Sequence, residues 1–100
     1  MLKMIRVTGA SLSPMYQDGD YVLVVTIPFF LNRIRVGNII VFRQEYYGLM
    51  IKKVEEISSN GAMFFVLGTQ ANSTDSRKFG RIMREDIIGK VVWHIRKHAL

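Results

Sequence analysis

The chain has 100 residues, 49% of them hydrophobic, and a formal net charge of +6 from 14 Lys+Arg against 8 Asp+Glu. That length holds one domain with a single small core, and so high an apolar content excludes a disordered chain. With no cysteine, disulfides, thiolate catalysis and Cys-based zinc sites are excluded as well.

Apolar residues alternate with a strand period nearly throughout, and Val, Ile, Phe and Tyr are abundant. The first predicted strand, 3–8, runs into Gly9-Ala10-Ser11-Leu12-Ser13-Pro14. There Ser13 can cap a short helical turn with Pro14 at its first position. The turn Asp18-Gly19-Asp20 then opens a second strand, 21–27. Ile27-Pro28-Phe29-Phe30-Leu31 follows, and Phe29 and Phe30 beside a proline put large apolar side chains in a loop. They are the expected point of peripheral membrane contact. The apolar run from Tyr21 to Leu31 is broken by Thr26 and Pro28 and falls short of the ~20 residues a spanning helix needs. No secretory leader is visible at Met1-Leu2-Lys3-Met4.

Val36-Gly37-Asn38 precedes a third strand at 38–43, and Tyr47-Gly48 a fourth at 49–57. Strand alternation puts Met50, Lys52 and Val54 on one face and Leu49, Ile51 and Lys53 on the other. One of the two lysines must therefore meet the apolar side. Asn60-Gly61 marks a hairpin into the fifth strand, 62–67. Residues 70–81 are polar and read as a loop, the usual carrier of chemistry on a rigid scaffold. Arg84-Glu85-Asp86 reads as one more short turn before the sixth strand, 89–96. Six short strands predict a mostly β fold, a small coiled antiparallel sheet or partly closed barrel.

His94 and His98, four apart, have no third ligand nearby and read as a solvated tail, so no metal or other cofactor is expected. A serine–histidine triad built from either histidine with Asp75 or Asp86 has no local signature. The charge and a pI near 10.0 point to an anionic partner. The basic residues are scattered without a recognition helix, however, so no nucleic-acid partner is expected.

What remains is a serine and a lysine in separate blocks. Ser11 follows a glycine-containing turn whose backbone N–H groups can face an oxyanion, with Gly9 and Ala10 allowing close approach of a peptide. Lys52 sits in Ile51-Lys52-Lys53-Val54. A free lysine titrates near 10.4, and desolvation lowers that value toward the range of a usable base. In the polar loop, Ser73 can orient a neutral lysine, and Asp75 and Arg77 can pair to brace the turn. The bland readings are a turn-capping Ser11, a snorkelling Lys52 and a surface ion pair of little energy.

These blocks resemble the signal peptidase I family of Ser/Lys-dyad serine proteases along nearly the whole chain. The family's Gly-x-Ser-Met-x-Pro and Gly-Asp box is Gly9-Ala10-Ser11-Leu12-Ser13-Pro14 with Gly19-Asp20. Its Gly-Asp-Ile-Val-Val-Phe box is Gly37-Asn38-Ile39-Ile40-Val41-Phe42, and its Ile-Lys-Arg-Val box is Ile51-Lys52-Lys53-Val54. Its Asn-Ser-x-Asp-Ser-Arg-x-x-Gly core matches Asn72 to Gly80. The resemblance implies one signal peptidase-like catalytic domain over residues 1–100, with Ser11 as nucleophile, Lys52 as general base and Ser73, Asp75 and Arg77 in support. It also implies an extended precursor protein or peptide as substrate, cut after small residues to remove a signal or pro-peptide. The same fold without turnover, as a peptide-binding or peripheral membrane module, is the alternative.

Three departures stand out: Lys53 for the usual arginine, Gly68-Thr69-Gln70 for the usual Gly-Asp-Asn, and the expected absence of a membrane anchor and second β-domain. The ending from Phe79-Gly80 to Trp93 is similar to small soluble relatives that mature nickel-containing superoxide dismutase, which implies a cytoplasmic setting. A signal peptidase fragment would instead face the extracytoplasmic side of a membrane. The self-cleaving SOS-response repressors share the Ser/Lys logic but are not expected to carry the Asn72–Gly80 box.

Overall fold

A computed structural model describes residues 2–8, 16–26 and 33–97. Seven strands form one antiparallel sheet: β1 (Leu2–Arg6), β2 (Tyr21–Val25), β3 (Ile39–Gln44), β4 (Gly48–Ile57), β5 (Met63–Leu67), β6 (Ile82–Met83) and β7 (Ile87–Ile95). Among the described residues, one helical turn, α1 (Ser76–Phe79), and a 3-10 turn, Arg84–Asp86, accompany the sheet. The spatial order is β1-β2-β7-β3-β4-β5-β6. The two end strands do not pair with each other among the described residues, so the predicted mostly β class stands as an open coiled sheet rather than a closed barrel.

The coil follows from how β3 is used. Its alternate side chains feed two different cores: Ile40 and Phe42 enter one with Val54, Phe64, Val66 and Ile82, and Val41 enters the other with Val7, Tyr16, Val22 and Val24. A flat two-faced sheet of this size would leave one core wet. Bulges at Leu23/Val24 against β7 and at Val41/Phe42 against β7 bend the sheet so that both faces are covered. Gly89 lies in this bend, and a Cβ there would run into the Val25 carbonyl and the Val24 side chain. Only glycine lets β7 approach β2 so closely.

All six predicted strands are present with small shifts at their ends. Missed was β6, which has two residues and therefore no readable period, and is a strand only because Met63 and Phe64 pair with Met83 and Ile82. The predicted Asn60-Gly61 hairpin is built by Asn60 Oδ1, which accepts from Ser58 Oγ at 2.7 Å and from Ala62 N–H at 3.1 Å. Gly61 takes φ +71°, a value open to glycine at no steric cost.

Candidate active site

Lys52 answers the question that alternation left open. It is 3% exposed, whereas Lys53 is exposed. It faces Ile40 across the β3–β4 ladder, on the face that carries Met50 and Val54 into the core. Burial pushes its ammonium pKa below the ordinary lysine value, and the Asp75 charge opposes that shift in part. The charged form is disfavoured because water is stripped from it, which raises the neutral fraction near physiological pH.

Lys52 also lines a cleft of about 410 Å³. One wall is Ile5 to Thr8, at and beyond the end of β1, and the other is Leu49 to Lys52 of β4, with Tyr47 and Thr74 also lining it. Val22 and Val41 form the floor. Both walls are sheet edges. β1 pairs with β2 alone, and β5 meets β4 from Lys53 onward, so Gly48–Lys52 hydrogen-bond to β3 alone among the described strands. Two facing strand edges over an apolar floor suit an extended peptide, whose backbone can complete the ladders.

The polar segment 70–81 is more ordered than a loop. Asp75 is fully buried and caps α1. Its Oδ1 accepts from Arg77 N–H at 3.0 Å and Arg77 Nε at 2.9 Å; its Oδ2 accepts from Arg77 Nη2 at 2.6 Å and Gly68 N–H at 2.9 Å. Burial alone would raise this carboxyl, but the Arg77 side chain and the Gly68 and Arg77 N–H groups outweigh it and hold the pKa below the usual range. The same Arg77 Nη2 donates to the Gln70 carbonyl at 3.0 Å. The altered Gly68-Thr69-Gln70 segment is thus held at both ends by this pair, which is not the surface ion pair of the bland reading. Ser76 adds a bond that the sequence did not signal: its buried Oγ accepts from Val66 N–H at 2.9 Å and ties α1 to β5. Ser73 is buried beside cleft-lining Thr74, and its N–H donates to the Gln70 carbonyl at 3.1 Å.

Gly9, Ala10, Ser11 and the Ser13-Pro14 turn lie outside the described residues, as do Phe29, Phe30 and His98. The chain on either side of residues 9–15 is described and closed: Val7 N–H donates to the Asp20 carbonyl at 2.7 Å and Gly19 N–H to the Val7 carbonyl at 2.8 Å.

His94 corrects the expectation of a solvated tail. Its ring stacks on Tyr16 at 4.3 Å, and its Nε2 lies 2.6 Å from Asp20 Oδ2. Asp20 also accepts from Gln17 N–H and Lys97 N–H, both at 3.0 Å. The Gln17 bond first, then those from Lys97 and His94, hold the Asp20 carboxyl far below its ordinary pKa. The rival triad loses both its named carboxylates for His94, since Asp75 is taken by Arg77 and Asp86 accepts from Met83 N–H at 3.1 Å. Among the described residues no cluster of three His, Cys, Asp or Glu side chains forms a metal site. No helix there is long and apolar enough to cross a membrane.

The family model described as Peptidase S24-like matches residues 1–92. The chain belongs to the Peptidase S24-like family. This family includes Ser/Lys proteases of both the self-cleaving repressor and the signal peptidase kinds. Membership thus supports a serine-peptidase type of protein and covers both the strand that leads to Ser11 and the polar box. No curated protein matches this S24-like chain.

Proposed function

We propose that this protein is a Ser/Lys endopeptidase that removes a signal or pro-peptide from a precursor, cutting after small residues. The observation that carries the reading is Lys52, a buried lysine of lowered pKa on the wall of a peptide-sized cleft. The opposite wall ends at Thr8, three residues before Ser11, a reach of at most about 11 Å. In the proposed reaction neutral Lys52 Nζ takes the proton from Ser11 Oγ as that oxygen attacks the scissile carbonyl. The Ser11 N–H, with the Gly9-Ala10 backbone close by, holds the oxyanion. The lysine ammonium returns the proton to the leaving amine, and water then releases the acyl group by the same route in reverse order. Ser73 orients the lysine, while Asp75 and Arg77 keep its loop in place. The Asn72–Gly80 box favours a precursor-processing enzyme over a self-cleaving repressor.

The test is cleavage of a precursor peptide library by wild type, Ser11→Ala and Lys52→Ala, read by mass spectrometry. Loss of about a thousandfold or more in kcat is expected for each variant, with folding retained. Wild-type kcat/KM should rise with pH through a value below the free-lysine 10.4, because the base works only when neutral. A flat profile from about pH 6 to 10 rules out a lysine base. If wild type cuts nothing yet binds extended peptides, the fold serves as a binding module.

A second, compatible reading is contact with an anionic membrane. Register aligns Met4, Leu23 and Trp93 across β1, β2 and β7, and Met4 and Trp93 are 60% and 64% exposed. These three strands contain Lys3, Arg6 and Lys90 and no acidic residue, a pattern suited to acidic lipid. The single tryptophan reports directly: its emission should shift to the blue on phosphatidylglycerol vesicles. No shift, together with no co-sedimentation, rejects membrane contact.

A further inference from the structure

Tyr47 lines the same cleft as Lys52 and stands five positions before it, in the turn between β3 and β4. Its neighbour Tyr46 is 84% exposed and lies outside the cleft, whereas Tyr47 is 55% exposed and lines it. The turn is rigid by construction, because Gln44 Oε1 accepts from Tyr46 N–H at 2.6 Å and from Tyr47 N–H at 2.8 Å. The ring is anchored too. It lies 6.2 Å from Phe79, and Phe79 lies 6.2 Å from fully buried Phe42. The Tyr47 ring is thus linked through an aromatic chain to the core, and it lines the cleft together with Leu49, itself 48% exposed.

A half-exposed aromatic that is already immobilised loses little entropy when it binds, so its apolar area is available for recognition. An extended peptide paired to the free edge of β4 advances about 3.3 Å per residue, the same rise as the strand. Lys52 to Gly48 is four positions along β4, and Tyr47 is one further, in the turn, so the span corresponds to about five substrate residues. We propose that Tyr47, with Leu49, is a specificity-determining residue that receives a large apolar side chain of the substrate about five residues from the scissile bond. The assignment rests on the peptidase reading and adds a distal requirement to the small-residue preference at the cut.

The experiment is cleavage-site profiling on a proteome-derived peptide library with wild type, Tyr47→Ala, Tyr47→Phe, Leu49→Asn and Tyr46→Ala. Wild type should enrich Phe, Leu, Met, Tyr or Trp at a position four to six residues from the cut, on one side only. Tyr47→Ala and Leu49→Asn should erase that enrichment, Tyr47→Phe should keep it, and Tyr46→Ala should match wild type. On one peptide bearing the apolar residue, Tyr47→Ala should raise KM about tenfold with kcat little changed, since the contact is equal in ground and transition states. On a peptide with Gly at that position, wild type and Tyr47→Ala should behave alike, which a merely structural tyrosine would not produce. Cleavage that continues with no distal preference in wild type, or with the preference intact in both Tyr47→Ala and Leu49→Asn, overturns the assignment and leaves the peptidase reading standing. If wild type cuts no peptide at all, the peptidase reading fails and the role of Tyr47 falls with it.

Discussion

Two buried aspartates organise this molecule, and they do so by different means. Asp75 closes a local loop: its cation is Arg77, two residues away, and its other partner is Gly68, seven residues back. Asp20 closes a global one. It reaches His94 and Lys97, more than seventy residues on, and joins the end of β7 to the turn that follows the Ser11 segment. The first partner carries its charge at every accessible pH, while the second is a titratable ring. The local device sets the shape of one loop beside the candidate base. The distant one ties the start of β2 to the end of its neighbour β7, just after the segment that holds the candidate nucleophile.

Asp75→Ala should have the largest effect. It leaves the Gly68 N–H and the Arg77 N–H without their acceptor in an enclosed site, and a loss of about 2–4 kcal/mol is expected from denaturant melts. Activity should fall with it even at temperatures where the variant is folded. Asp20→Ala should lower Tm by less, because its partners Gln17 and Lys97 lie near water that can replace the carboxylate. A Tm loss equal to that of Asp75→Ala would show that the distant clasp is as enclosed as the local one.

Both carboxyls have folded pKa values below their unfolded ones. Their stabilisation is present above the ordinary aspartate value near 3.9 and declines as pH falls below it toward the folded values. Asp75→Asn and Asp20→Asn should each flatten the acid limb of a Tm-against-pH curve, and a limb left unchanged in both would assign acid unfolding to other groups.

Lys52 supplies the opposite sign. Its folded pKa is lowered, so the charged lysine opposes folding below that pKa, and the penalty fades as pH rises toward the unfolded value near 10.4. Lys52→Met should raise Tm at pH 7 by an amount that shrinks toward pH 10, while abolishing turnover. Equal Tm values at both pH values would mean that Lys52 keeps its charge hydrated. His94→Phe is expected to have the smallest effect, since it keeps the stack on Tyr16 and removes one hydrogen bond to a carboxylate that retains two others.

Six of the seven described strands, the Asn60-Gly61 hairpin and the Asp75–Arg77 pairing were legible in the amino-acid chain alone. Each depends on neighbours within a few positions, where side-chain period and turn chemistry act directly. The sequence also reduced the candidate bases to one strand with two lysines. Tertiary structure decided which lysine is buried, because alternation names two faces but only the coil of the sheet makes one of them dry. It likewise decided β6, whose two residues are a strand through their partners alone, and the clasp of Asp20 with His94. Contacts between residues 74 positions apart leave no period or spacing in a single chain to read. The free edge of β4 belongs to the same class, since whether a strand is covered depends on where its neighbour begins to pair and not on its own residues.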